Sequence, residues 1–243
     1  MPAPIGEVLR VADILMKRVV ADEYSPGLRL PAEVDLATEF GCGRSTVREA
    51  LRHMASLNLV QSRRGSGAVV LDYRREGVLD LMPIWLEVGH FDHPLPVIVT
   101  EMLHMRAHLG CEAARLAALY AKPAALVQVR KMIEAADAVS DRPAEHSLRE
   151  LDMFRALVQT SAIWPAAWLS NHFIRPMRDV NRMVAEQLGA VPPDWRAVME
   201  RLLDRIEKRD DKGAVEHLRA HFERVDRAIS QQLEGLFVGD DKE

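Results

Sequence analysis

The sequence contains little cysteine and no long hydrophobic run. Its 243 residues include two cysteines, Cys42 and Cys111, which form no CxxC pair and are too few for a disulfide framework, so we expect free thiols. No uninterrupted apolar run approaches the ~18 residues of a membrane span, and the N-terminus lacks the charged and apolar regions of a secretory signal. These absences predict a soluble, cytoplasmic protein with no membrane partner.

A strong excess of one charge is also missing, since the formal net charge is −4. An apolar content of 48% and a charged content of 28% exclude disorder as the main state. The charge is uneven, however: residues 44–64 contain five arginines and a single acid, Glu49. A local basic face on an otherwise acidic chain is typical of a domain that contacts DNA phosphates.

Two consecutive helices joined by a glycine-bounded turn are predicted after Pro31, a residue that suits the first turn of a helix. Gly41–Gly43 ends the first of them, because glycine readily takes the left-handed conformation of a sharp turn. The second helix begins near Arg44, and Arg48 and Arg52 share one of its faces.

A helix and a hairpin flank this pair. An amphipathic helix is predicted from Val8 to Val20, and two short strands, Leu59–Val60 and Ala68–Leu71, surround the turn at Gly65–Gly67. The order of elements over residues 30–70 is that of a winged helix-turn-helix, which places one helix in a DNA major groove.

Beyond residue 77 the sequence predicts only amphipathic helices, separated by prolines. The seven segments are approximately 77–89, 95–120, 123–139, 145–161, 165–188, 194–209 and 211–236. We therefore expect a mainly α fold, with an antiparallel bundle of six to seven helices after the winged helix-turn-helix. The predicted limits are 1–73 for the DNA-binding domain, 74–80 for a linker, 81–236 for the all-helical domain and 237–243 for a flexible tail.

The helical region contains few polar residues that stand out. Arg106 lies among apolar neighbours, so it is either a carboxylate-binding arginine or a surface arginine with a packed stem. His217 and His221 are one helical turn apart, which is a weak metal signal without an HExxH motif. Residues 77–243 have no nucleophile–base pair, phosphate-binding glycine loop or close carboxylate pair, so we expect no enzyme and no cofactor.

The N-terminal segment resembles the DNA-binding domain of the GntR family of bacterial transcription regulators. The matching positions are Gly27, Leu30–Glu33, Leu36–Ala37, Phe40–Gly41, Arg44, Thr46–Leu51, Leu59–Val60, Gly65 and Gly67. Two positions depart from the family pattern: Val34 replaces an arginine that usually touches DNA, and Gly43 replaces a serine or threonine cap. Val34 therefore puts the family's common operator sequence in doubt for this chain.

The resemblance implies DNA contacts in the recognition helix and in the wing. The residues concerned are Arg44, Ser45, Thr46, Arg48, Arg64 and Gly65. Arg44 is expected to reach a guanine edge or an adjacent phosphate, the next three residues to anchor phosphates, and the wing pair to enter the minor groove.

The helical region resembles the all-helical effector domain, termed FCD, of the FadR subfamily. The pattern R-x-x-[LV]-E-x-x-A-A-x-L-A-A is similar to Arg106–Ala118, with Gly110 in place of the usual acid. The closing pattern of the domain matches Arg209–Asp210, Ala214, Leu218 and His221. This resemblance implies effector binding and dimerisation.

Many FCD domains hold a metal ion through an acid, a histidine four residues later and two further histidines. The corresponding positions here are Glu150, Phe154, Met199 and His221. Phenylalanine cannot ligate and a thioether suits the usual ions poorly, and a register through Asp152 does no better, so we expect no metal. The resemblance favours the metal-free, acyl-CoA-responsive branch. The predicted effector-pocket residues are Arg106, Glu150, Phe154, Met199 and His221.

These patterns predict an effector-responsive, homodimeric transcription regulator. Each protomer would place the helix at 44–57 in a major groove of double-stranded, palindromic operator DNA. A small carboxylate or acyl-type metabolite, either an organic acid or an acyl-CoA-like molecule, would bind the helical domain and change the affinity for DNA. Two alternatives stay open: a constitutive repressor whose helical domain only dimerises, and a metal-dependent carboxylate sensor with a weak site at Glu150 and His221.

Overall fold

The structure, a computed structural model, describes residues 5–63, 67–189 and 191–237. Over these ranges the regular structure is helical apart from one two-stranded sheet, which confirms the predicted mainly α fold. The chain packs as two compact units, one reaching to His90 and the other beginning at Phe91. None of the described helices is both long and apolar enough to cross a membrane.

The first unit is a winged helix-turn-helix. Its elements are α1 (Ile5–Val20), α2 (Glu33–Phe40), α3 (Arg44–Ser56), β1 (Val60–Arg63), β2 (Gly67–Val70), α4 (Tyr73–Glu76), a 3₁₀ helix (Leu79–Leu81) and α5 (Met82–Val88). The strands are antiparallel, with Val60 opposite Val70 and Arg63 opposite Gly67. The predicted helix pair and hairpin are therefore present.

Apolar residues at helical spacing give α1, α2 and α3 a common core. Leu15, Leu36 and Met54 are fully buried there. Between α2 and α3, Gly41 has a φ of 63°, the left-handed conformation that the sharp turn requires. Gly43 caps α3 without a side-chain hydrogen bond, as its lack of a hydroxyl predicts.

The segment after the hairpin packs within the first unit. Leu81 belongs to its core, Ile84 packs against that core, and Lys17 Nζ lies 2.5 Å from Glu87 Oε1 between α1 and α5. The predicted linker at 74–80 overlaps α4 and the 3₁₀ helix, and the division between the two units follows later, after His90. Of the predicted tail at 237–243, the structure describes Phe237 alone, as the last residue of α11.

The second unit is a bundle. Its described residues form α6 (Leu95–Tyr120), α7 (Pro123–Asp137), α8 (Pro143–Gln159), α9 (Trp164–Leu188), α10 (Trp195–Glu207) and α11 (Asp211–Phe237). Pro123, Pro143 and Pro165 lie in the first turns of α7, α8 and α9, where a missing N–H costs no hydrogen bond. Helices α6 and α11 pack against each other, and α8 packs against α6, which brings polar residues of all three to one cavity.

Candidate functional site

The exposed side of α3 carries the predicted DNA contacts near its N-terminus. Arg44 and Ser45 are exposed there, beside the unpaired N–H groups of the first helical turn. Arg52 is also exposed and forms an ion pair with Glu49 on the same helix. An exposed arginine and hydroxyl at a helix N-terminus are groups that can bind phosphate and base edges.

Arg48, the next predicted contact, is held by an acid of α2. Its Nη2 lies 2.8 Å from Glu33 Oε2 and its Nε lies 3.2 Å from the same oxygen. The hydrogen bond from this guanidinium holds the pKa of Glu33 below its ordinary value of 4.5. Because the Arg48 side chain is still 55% exposed, it can reach a phosphate only by sharing or leaving Glu33.

Thr46 has a different position from the one expected of a phosphate anchor. It is 2% exposed, and its hydroxyl lies 3.4 Å from Glu7 Oε2 of α1. The reason is its place on the face of α3 that packs against α1, next to the buried Val47. In this geometry the side chain of Thr46 contacts the interior of the unit rather than the DNA-facing side.

The other two predicted DNA contacts, Arg64 and Gly65, follow β1 in the sequence and lie outside the described residues. Val34, which stands where the family has an arginine, is 41% exposed on α2. Its isopropyl group offers a DNA base or sugar an apolar contact and no charge.

The second unit contains a half-open cavity of about 560 Å³ between α6, α8, α9 and α11, bordered by the start of α10. Arg106, Glu150 and His221, three of the five predicted pocket residues, line it together. His146, Trp195 and Phe222 also line it. A volume of this size is in the range of small-molecule sites.

Arg106 is anchored rather than free. Its Nη2 lies 2.6 Å from Asp226 Oδ1, and its guanidinium carbon lies 4.9 Å from the centre of the Phe222 ring. Burial raises the pKa of the Asp226 carboxyl, although Arg106 opposes the shift. The Nε atom of Arg106 is buried and has no hydrogen-bond partner in the protein.

Phe222 packs closely on α6 because residue 110 is a glycine. A Cβ at Gly110 would lie 2.7 Å from the Phe222 ring, closer than real atoms approach. The absence of the acid usual at this position therefore makes room for an aromatic wall. Phe222 also borders a larger open groove of about 1040 Å³ on the outer side of α6 and α11; the predicted pocket residues do not line this groove.

Two further polar residues of the cavity, Glu150 and His221, have partners in the protein. Glu150 Oε1 accepts a hydrogen bond from Trp195 Nε1 at 2.7 Å. His221 is 5% exposed, and this burial lowers its pKa. Arg224 Nη2 lies 3.4 Å from His221 Nδ1, a long contact.

Phe154 and Met199 do not line this cavity. Phe154 packs against Phe222, with ring centres 5.6 Å apart, and lines a much smaller void of about 30 Å³ that Arg106 and Glu150 also border. Met199 is fully buried in the core of the bundle and lines none of these three cavities. Met199 was predicted to form part of the pocket wall, but it lies in the core because the face of α10 that carries it packs inwards.

The four positions of the family's metal pattern do not fit a metal ion here. Phe154 and Met199 supply apolar packing, and Glu150 is engaged by the Trp195 indole. Among the described residues, no group of three His, Cys, Asp or Glu side chains is arranged to hold a metal.

Sequence reasoning missed His146, Trp195 and Asp226. His146 lies four residues before Glu150 on α8, so helical spacing alone places the two on one face. Trp195 and Asp226 come from other helices, and only the packing of the bundle brings them to Glu150 and Arg106.

A winged helix-turn-helix followed by a helical bundle with a cavity is the architecture of a DNA-binding transcription regulator. Residues 7–70 match the bacterial regulatory proteins of the gntR family, and residues 101–224 match the FCD domain. The chain therefore belongs to the GntR family and is a DNA-binding regulator of the GntR/FCD type, which confirms the predicted membership.

Similar proteins are transcriptional regulators as well. An uncharacterised HTH-type transcriptional regulator of Mycobacterium tuberculosis is 30% identical over 155 residues, which are 63% of this chain and 60% of the relative. The galactonate operon transcriptional repressor of Escherichia coli K12 is 27% identical over 145 residues, 59% of this chain and 61% of the repressor. The chain thus spans about three fifths of each of these two relatives.

The fold is shared with a solved structure of the Listeria monocytogenes protein Lar, which controls expression of the agr system. The TM-score is 0.59 at 14% identity, over 92% of this chain and 96% of Lar. At that identity the likeness shows the fold.

Proposed function

We propose that this protein is a homodimeric, effector-responsive transcription regulator that binds a palindromic operator and a small carboxylate or acyl-type metabolite. The observation that carries the proposal is that Arg106, Glu150 and His221 line one cavity of about 560 Å³ in the FCD domain. A concave, mainly apolar site with a few convergent polar groups is typical of a small-molecule site.

In the proposed complex, Arg44 reads a guanine or an adjacent phosphate, while Ser45 and Arg48 bind phosphates. Thr46 acts through its buried contact with α1, which sets the angle of the recognition helix. The wing residues Arg64 and Gly65 enter the minor groove. One recognition helix per protomer covers one half-site, so a dimer covers two half-sites about one helical turn apart.

The ligand class follows from the cavity. The Arg106 guanidinium on the cavity wall is a charge-assisted donor that suits a carboxylate, and the apolar lining suits a carbon chain. The name of the galactonate operon repressor points to an organic acid in the regulation of a relative. Ligand affinity that differs between two states of the dimer would then change DNA binding.

We also propose the domain limits 1–73, 74–80 and 81–236 and a cytoplasmic location.

We further propose that the helical domain binds no metal ion, which the packing of Phe154 and Met199 supports. Elemental analysis of protein purified without chelator tests this proposal, and one full equivalent of zinc, nickel or manganese per chain would overturn it.

Thermal-shift and calorimetric screening of the full chain against small carboxylates and acyl-CoAs tests effector binding. We expect at least one acid to bind wild type and to lose affinity in Arg106→Met. Arg115→Met, on the exposed side of the same helix, is the matched control and should bind normally. If no acid binds and the helical domain still dimerises, the alternative of a constitutive repressor is favoured.

A further inference from the structure

The acid that pairs with Arg106 borders a different space from the proposed effector cavity. Arg106 lines the cavity of about 560 Å³, whereas Asp226 lines the open groove of about 1040 Å³ on the outer side of α6 and α11. The ring of Phe222 borders both spaces and lies 4.9 Å from the guanidinium carbon of Arg106. The Arg106–Asp226 pair, with Nη2 and Oδ1 2.6 Å apart, therefore lies in the wall between the cavity and the groove.

Arg106 is the cation next to two resident acids. Besides Asp226, Glu150 of α8 lines the cavity, and it accepts its hydrogen bond from the uncharged indole N–H of Trp195, 2.7 Å away. Burial raises the pKa of the Asp226 carboxyl, and the negative charge of Glu150 acts in the same direction, while Arg106 opposes both. A ligand carboxylate would therefore be the third acid around one guanidinium.

Among the described residues, the other charged groups on the cavity wall add no net positive charge. Arg224 and Asp194 form an ion pair, with Nη1 and Oδ2 2.9 Å apart. Burial lowers the pKa of His221, so its ring is neutral at neutral pH. Because like charges repel strongly where water is scarce, a carboxylate can bind Arg106 tightly only if Asp226 releases it.

Resting on the proposed effector site, we infer that Asp226 is a specificity-determining residue, which occupies Arg106 in the free protein and competes with the carboxylate of an acid effector. Since Asp226 borders the outer groove, its displaced carboxylate can be hydrated there, where His104 and Arg227 also line the wall. An uncharged ligand does not compete for Arg106. Asp226 therefore lowers the affinity for an acid and leaves the affinity for its neutral analogue unchanged.

A purely structural role for Asp226 predicts the opposite result. An acid that only orients the Arg106 guanidinium would help it to bind a carboxylate, so removing that acid would weaken the binding of acids. Competition predicts that removing the charge strengthens it. Asp226→Asn separates the two roles, because its amide oxygen can still accept the hydrogen bond from Arg106 Nη2 but carries no negative charge.

Calorimetry of the full chain with hexanoate and hexanamide, an acid and an amide of equal chain length, tests the competition. In Asp226→Asn the affinity for hexanoate should rise about 10-fold, the scale of losing one nearby like charge, and the affinity for hexanamide should stay within about twofold. Glu150→Gln is the matched control, since it removes the same charge from an acid that is hydrogen-bonded to Trp195 instead of Arg106, and it should gain much less. Glu112→Gln, in an exposed ion pair of α6, should leave both affinities unchanged.

The outcomes separate this inference from the proposed function. Unchanged or weaker binding of hexanoate in Asp226→Asn, or an equal gain in Glu150→Gln, overturns the competition and leaves an Arg106-dependent acid site in place. An equal gain for hexanamide overturns it too, because the effect is then not one of charge. If Asp226→Asn does not fold, Asp226→Ser, which also lacks the charge, gives the same comparison. If neither wild type nor the variant binds hexanoate, the inference and the proposed effector site both fail.

Discussion

The guanidinium of Arg48 and the carboxylate of Glu33 form a two-point ion pair that joins the recognition helix to α2. The Nη2–Oε2 distance is 2.8 Å and the Nε–Oε2 distance is 3.2 Å, while both side chains remain more than one third exposed. The residue expected to bind a phosphate is thus already oriented, and partly neutralised, by an acid on the same surface. To bind a DNA phosphate, Arg48 therefore has to exchange Glu33 for that phosphate.

Arg48→Ala should weaken binding to operator and non-operator DNA alike and lower the slope of log affinity against log salt by about one. The change also leaves Glu33 without its cation on the DNA-facing surface. We therefore expect the loss to be smaller when Arg48→Ala is made in a Glu33→Gln background. Fluorescence anisotropy at several salt concentrations measures this, and equal losses in the two backgrounds would contradict the exchange.

Arg44→Ala should act differently, since Arg44 is exposed and no ion pair is recorded for it in the described part of the chain. If it reads a base edge, the variant should lose about 1–3 kcal/mol of discrimination between operator and mutated operator. Competition titrations with single-base operator variants measure the difference. A variant that discriminates as well as wild type would show that Arg44 does not read the sequence.

The Glu33–Arg48 pair also predicts a pH dependence. The pKa of Glu33 is lowered in the folded protein, so the pair stabilises the first unit fully above about pH 4.5, and this contribution is lost as the pH falls through the folded pKa. An NMR titration of the Glu33 carboxyl should have a midpoint below 4.5. In Arg48→Ala the midpoint should rise towards the ordinary value, and an unchanged midpoint would assign the shift to another cause.

The Arg106–Asp226 pair is buried, with side chains 15% and 8% exposed. Substituting both residues should therefore cost less stability than the sum of the two single substitutions. Asp226→Ala leaves the Arg106 charge without its partner and should destabilise the second unit by about 3 kcal/mol. Arg106→Met combined with Asp226→Leu should recover most of that loss. Urea denaturation followed by tryptophan fluorescence measures this. The exposed pair Glu112–Arg115 on the same helix is the control, with an expected loss below about 1 kcal/mol.

Most of the fold was predictable because its signals are local. The limits of α6, 95–120, follow from proline and helical spacing, and the wing follows from its glycines. Three features depend on packing and were not predictable from local patterns. Thr46 lies on the α1-facing side of α3, the 3₁₀ helix and α5 pack into the first unit, and Met199 turns into the core.

The lining of the effector cavity was predictable only in part, because some of it depends on the packing of the helices. The resemblance supplied Arg106, Glu150 and His221, which do line one cavity. The pairing of Arg106 with Asp226 and the buried, unpaired state of His146 Nε2 depend on contacts between helices that are far apart in sequence. No spacing within one helix encodes them.

The central claim is that occupancy of the FCD cavity controls operator binding. The direct measurement is a titration of operator DNA with the full chain, with and without a saturating concentration of the acid that binds most tightly in the screen. The account predicts at least a fivefold change in operator affinity for wild type, in the range of about 1–3 kcal/mol of coupling, and no change for Arg106→Met. An operator affinity that is identical with and without saturating acid in wild type would contradict it.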